Sequence, residues 1–187
     1  MKTFQCKFCG KEYKSEKTFM KHKCVQMERF MYSTKQNYLN YWKEFKTAYK
    51  IKYKDNPENP YYDMINSKLY NQIIVFFDWC SEMGISHIKD YCEYTKKMNI
   101  PVNLWCKSLT YHKYLQEMLS SEHPLLAKER SEKYLKDNNV SLDTITQNFL
   151  YFSLLNGNIS NKYLKSKGFD VKKFLDNKQI NDIRDFL

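Results

Sequence analysis

The stretch Phe4–Cys24, FQCKFCGKEYKSEKTFMKHKC, sets the reading of the whole chain, because it gathers three of the six cysteines and one of the four histidines. Counting along it gives Cys6-x2-Cys9-x12-His22-x-Cys24. A tight turn can aim both thiolates of a Cys-x2-Cys pair at one ion. The longer gap leaves room for a strand end and about two helical turns to bring His22 back to the same ion. Three thiolates and one imidazole are soft donors that suit zinc best, and four of them close a tetrahedron. The expected role of that Zn2+ is structural. A hydrolytic zinc keeps an open coordination position beside a general base, and the spacing here provides neither.

Phe4, Tyr13 and Phe19 fall around the four ligands at aromatic-x-Cys and Cys-x3-aromatic-x5-hydrophobic-x2-His spacings. In these positions the segment resembles a Cys2His2-type zinc finger, as a Cys-Cys-His-Cys variant covering residues 1–26. The resemblance implies a small ββα fold with its helix capped by Ser15. It also implies that Ser15, Thr18 and Lys21 occupy the positions that read bases in DNA-binding fingers. One departure stands out. Fingers place the last ligand about one turn beyond the histidine, whereas His22 and Cys24 are two apart and would point about 200° apart on an intact helix. The helix is therefore expected to unwind at or just after His22.

Charge is unevenly spread. The net charge is +10; residues 1–54 hold 14 Lys/Arg against 4 Asp/Glu, and residues 55–187 hold 17 of each, so the whole excess is N-terminal. Segregated basic charge is the electrostatic footprint of a polyanion-binding surface. Lys17, Thr18 and Lys21 are expected on the exposed face of the finger helix, the surrounding Lys7, Lys11, Lys14, Lys23, Arg29 and Lys35 are suited to phosphates, and Phe8 and Tyr32 to stacking on unpaired bases. The stretch from Ser33 to Lys54 places Tyr38, Leu39, Trp42, Phe45 and Tyr49 at spacings of three and four, with Lys43, Lys46, Lys50 and Lys52 among them. This predicts a basic amphipathic helix whose aromatics pack inward and whose Lys43 and Lys46 carry the nucleic-acid-binding surface on from the finger. It should end at the DNPENP of residues 55–60, so residues 27–60 are expected to be a basic helix and linker, followed by a helical domain over 61–187.

Only 4 Gly and 4 Pro punctuate 187 residues, too few for an all-β design, so the expected fold class is mainly α, a small ββα finger followed by a multi-helix domain. A central helix is expected over 61–84, where an apolar run through Trp79 ends at Gly84. Further helices are expected over Ser86–Met98, from Pro101 to Leu119, from Ser121, from Ser141 to Gly157, over Ser160–Lys167 and over Lys178–Phe186. No apolar run is long enough to span a bilayer and the N-terminus has no apolar leader. The expectation is a soluble cytoplasmic protein without a membrane partner, in a reducing compartment where Cys80, Cys92 and Cys106 serve as small apolar side chains.

No catalytic arrangement is legible. His87, His112 and His123 are isolated, and the pairs Asp78/Glu82 and Asp90/Glu93 read as solvated helix faces, so an enzyme is not expected. Beyond the finger, the segments NIPVNLWCKSLTYHKYLQEML, SEHPLLAKERSEKYL and LLNGNIS are similar to uncharacterised finger-bearing proteins of large T-even-like tailed bacteriophages. That resemblance implies an accessory factor of phage replication, transcription or DNA processing in the host cytoplasm. The expected partners are nucleic acid, DNA ahead of RNA, and a protein recruited by the helical domain. The alternative is an adaptor whose finger docks on a polymerase or another protein without touching nucleic acid.

Overall fold

The computed structural model describes residues 3–49 and 59–186. Among these residues the fold is mainly α: twelve α-helices and one two-stranded antiparallel sheet, with short 3-10 turns at Val102–Leu104 and Arg184–Phe186. None of the helices is long and apolar enough to cross a membrane. The chain divides into two compact units, Met1–Phe77 and Asp78–Leu187.

The first unit opens with β1 (Phe4–Gln5) and β2 (Glu12–Tyr13), paired Phe4 with Tyr13 and Gln5 with Glu12. Then come α1 (Glu16–Met20), α2 (Val25–Lys35), α3 (Leu39–Tyr49), α4 (Tyr62–Asn66) and the start of α5 (Tyr70–Glu82). The amphipathic helix expected from Ser33 onward begins at Leu39 instead. Asn37 adopts φ +55, a left-handed conformation that asparagine tolerates, and it separates α3 from α2. The aromatic stripe of α3 is core: Trp42 and Phe45 are buried, and Phe45 stacks on Trp42 at 5.6 Å and meets Phe77 edge-on at 6.2 Å. Lys50, Lys52 and the expected boundary at 55–58 lie outside the described residues. The helix expected over 61–84 is two helices. Ser67 is extended (φ −64, ψ 138), and its Oγ accepts from the Leu69 amide at 3.1 Å, so α4 ends there and α5 restarts.

The second unit contains the end of α5, α6 (Ile88–Lys97), α7 (Ser108–Ser121), α8 (Pro124–Asp137), α9 (Gln147–Leu155), α10 (Asn161–Ser166), α11 (Val171–Phe174) and α12 (Asn177–Asp182). Pro101 starts the 3-10 turn, and α7 begins only at Ser108. His123 caps α8, its Nδ1 accepting from the Leu125 amide at 3.3 Å. Ser141 closes a turn with Thr144, so Thr146 is the cap of α9. The helix expected over Ser160–Lys167 is found as α10, capped by Ser160, whose hydroxyl accepts from the Lys162 amide at 3.2 Å. α11 was not expected, and its Asp170 cap was the available signal.

This unit is organised around a buried loop, Asn156 to Ser160. The Asn158 side chain donates to the Gly84 carbonyl (2.7 Å) and accepts from the Ser86 hydroxyl (2.7 Å) and amide (3.2 Å), which satisfies the end of one helix segment and the approach to the next. Gly157 has φ +67, and a Cβ there would lie 2.5 Å from Leu115 Cδ2, so both backbone and space require glycine. Its carbonyl accepts from the Arg130 guanidinium, which also forms a two-pronged ion pair with Glu122 at 2.6 and 2.9 Å. Tyr111 Oη donates to the Asn156 carbonyl at 2.8 Å and lies 3.1 Å from His87 Nε2. The Tyr111 proton is thereby committed, so His87 carries its own proton on Nε2.

Candidate metal centre

The two short strands and α1 position the ligands. Between β1 and β2 the chain turns tightly. The Cys6 amide donates to the Lys11 carbonyl (2.9 Å) and the Gly10 amide to the Cys6 carbonyl (2.8 Å), with Gly10 at φ +72. That turn turns Cys6 and Cys9 toward each other. Ser15 caps α1 by accepting from the Thr18 amide at 3.3 Å. Phe19 on α1 then packs against Phe4 at 6.1 Å and Tyr13 at 5.9 Å, and Tyr13 reaches His22 at 5.1 Å. The three aromatic positions read from the sequence thus form one miniature core under the ligands.

Cys6, Cys9, His22 and Cys24 come together with their donor atoms all within 4.8 Å of one another, an arrangement that could hold a metal ion. Cys6 Sγ and Cys24 Sγ are 3.6 Å apart, and Cys9 Sγ and His22 Nε2 are 3.3 Å apart. Among the described residues, no second group of three His, Cys, Asp or Glu side chains comes close enough to do the same. The His-x-Cys closure works differently from the expectation. Instead of unwinding at or after His22, α1 stops at Met20, and the His22 amide donates to the Phe19 carbonyl at 3.0 Å in a tightened last turn. Residues 22–24 are then extended enough for Cys24 (φ −104, ψ 105) to swing under the cluster and serve as the N-cap residue of α2. One cysteine therefore ends the finger and starts the next helix.

The surroundings treat the thiols unequally. Burial pushes the Cys6 thiol up, but the Cys9 and Phe8 amides that donate to its sulfur, together with the Cys24 and Cys9 thiols, outweigh this and hold it below the usual thiol range. Burial raises Cys24, and its neighbours Cys6 and Cys9 raise it further against the opposing pull of the Met27 amide. A metal ion must displace these protons, so affinity is expected to rise with pH.

Of the twelve residues read as nucleic-acid contacts, Lys7, Lys11, Lys14, Lys17, Lys21 and Lys23 are exposed around the cluster, and Lys35 and Lys43 are exposed on α2 and α3. Ser15 and Thr18 are exposed but bonded to each other, the hydroxyls 2.9 Å apart. Lys46 is half-buried, with Nζ 5.9 Å from the Trp42 ring. Arg29 is placed otherwise. Its guanidinium donates to the Ile65 carbonyl at 2.9 Å and lies 4.5 Å from the centre of the Tyr70 ring, tying α2 to α4 and α5. Phe8 meets Phe30 of α2 at 5.3 Å, and Tyr32 lies 6.4 Å from Tyr38.

The remaining histidines sit apart. His87 is buried, and desolvation, with the Arg130 charge behind it, lowers its pKa to about 3. His112 faces Asp185 at 3.3 Å, and His123 is a helix cap. The sequence reading missed the exposed methionines of α1 and α2; their signal was the four-residue spacing of Met27 and Met31. Compared with known proteins, the chain matches no family model, no curated protein and no solved structure.

Proposed function

We propose that the first unit is a zinc-held module that binds nucleic acid through its lysines, in an accessory protein rather than an enzyme. Zinc is supported by the donor set and the distances. Bonds of about 2.3 Å to sulfur and about 2.0 Å to nitrogen at tetrahedral angles put sulfurs about 3.8 Å apart and sulfur and nitrogen about 3.5 Å apart. The observed 3.6 and 3.3 Å lie close to those values. Four protein donors fill the tetrahedron, which favours a structural metal over a catalytic one.

The observation that carries the reading is the set of six exposed lysines, Lys7, Lys11, Lys14, Lys17, Lys21 and Lys23, on the module that holds the donor cluster. Lysine is a compact point charge suited to phosphate. DNA is the first candidate polyanion and RNA the second. The second unit would recruit a protein, a role favoured by the exposed Leu125 and Leu126 at the start of α8.

Fluorescence anisotropy of the zinc-loaded full chain on labelled single-stranded and duplex DNA and RNA tests this. About five phosphate contacts on duplex DNA predict an affinity loss of about 500-fold between 50 and 200 mM salt. No binding to any of the four at 50 mM salt would end the proposal.

A further inference from the structure

Five large apolar side chains are exposed within one short stretch of the first unit: Met20 (76%), Val25 (53%), Met27 (40%), Met31 (62%) and Tyr32 (40%). The clustering is notable because residues 1–54 also carry the entire basic excess. On α2, Met27 and Met31 stand one turn apart and Lys35 continues the row; exposed Lys23 lies just before the helix. The opposite face of α2 is committed inward through buried Ser33, through Arg29 on the Ile65 carbonyl and Tyr70 ring, and through Phe30 against Phe8 and Tyr61. The methionines therefore face outward while the helix is held fixed from behind.

A phosphate backbone offers no apolar surface to cover two methionines, whereas an amphipathic helix does. Charge narrows the occupant. Glu28, exposed on α2, is the single acidic residue between Glu16 and Glu44, and exposed Lys21, Lys23 and Lys35 leave this stretch net positive. A second copy of the chain would bring the same positive surface against itself, and an acidic partner would not.

We infer that the outer face of α2 docks an acidic amphipathic helix of a protein partner, its apolar stripe on Met27 and Met31 and its carboxylates toward Lys23 and Lys35. Methionine fits such a role because its unbranched, polarisable side chain reshapes to its contact. The inference does not depend on nucleic-acid binding: it shares Lys23 with that reading, but its apolar contacts, Met27 and Met31, belong to it alone.

The test uses the zinc-loaded full chain and a fluorescein-labelled, glutamate- and leucine-rich helical peptide of about 18 residues, beside a scrambled peptide of the same composition that lacks the stripe. The amphipathic peptide should bind at least about 10-fold tighter than the scramble. M27S/M31S should remove that preference, M27L/M31L should retain it, and K23E/K35E should weaken the amphipathic peptide at least about 10-fold. Circular dichroism and zinc content of each variant establish that it remains folded. Equal binding of both peptides, or an unchanged preference in M27S/M31S, overturns the inference. So does methionine-dependent self-association, or methionine-dependent binding to phosphatidylserine vesicles in place of the peptide.

Discussion

The two units secure their helices by different means. In Met1–Phe77 the first helix has five residues, no buried side chain, and the donor cluster as its anchor. In Asp78–Leu187 the corresponding anchor is a covalently ordinary loop, Asn156 to Ser160, buried and tied down by hydrogen bonds that Asn158, Arg130 and Tyr111 make. A metal cluster concentrates stability in a few ligand bonds at the surface. A buried polar loop spreads it over many directional contacts in the interior, where each lost partner is costly. The units should therefore fail under different insults.

If zinc occupies the cluster as proposed, removing it should separate the units most sharply. Structural zinc contributes about 10–16 kcal/mol of apparent binding energy in small modules at neutral pH. Chelation, or Cys24→Ser, should abolish amide protection in residues 4–35 while leaving the second unit protected, and hydrogen exchange resolves the two. Cys106→Ser, in the second unit, is the matched control and should change neither pattern; equal loss in both units would remove the distinction.

The reverse insult is Gly157→Ala. A positive φ and a contact of 2.5 Å with Leu115 Cδ2 predict a loss of about 2–4 kcal/mol in the second unit, read as a lowered urea midpoint. Zinc affinity should be unchanged.

Acid should also act on the second unit. The folded pKa of His87 is lowered to about 3 from an ordinary 6.5, chiefly by burial, so the folded state resists protonation that the unfolded chain accepts. The neutral histidine contributes full stability above about pH 6.5, and that contribution falls by about 1.4 kcal/mol per unit as pH drops toward 3. Asp90, raised by burial, works in the opposite direction and offsets part of the loss. Urea titrations between pH 7 and pH 4 should show a slope that His87→Gln reduces.

The smallest effect concerns Arg29. Arg29→Lys gives up the guanidinium hydrogen bond to Ile65 and its stacking on Tyr70, and should cost the first unit about 1–2 kcal/mol. Nucleic-acid affinity should move no further than stability dictates, whereas Lys17→Gln should lower the salt slope by about 1 without destabilising the unit. A large affinity loss in the arginine variant would return Arg29 to the binding surface.

Much of the site was legible in the opening residues. Ligand identity, the Phe4/Tyr13/Phe19 core and the Ser15 cap depend on local spacing, and local spacing is what a sequence displays. The inward packing of Trp42 and Phe45 was legible for the same reason, since residues three and four apart share a helix face. The early end of α1 was not, because it depends on Cys24 serving two elements at once. Nor was the break at Ser67, where a side chain bonding its local backbone overrode a continuous apolar pattern.

The sequence alone therefore determined a helical chain with a Cys3His cluster and a basic N-terminal part, because composition and short-range periodicity encode those properties. Tertiary structure decided that Arg29 is a strut while its neighbouring lysines are exposed, and that Met27 and Met31 face outward. It also decided that His87 is buried against Tyr111 and Tyr114. Each of these depends on which distant residue covers a side chain: Ile65 and Tyr70 for Arg29, and the Asn156–Ser160 loop for the His87 network. Burial is a property of those pairings across the fold, and no window along the chain contains both members.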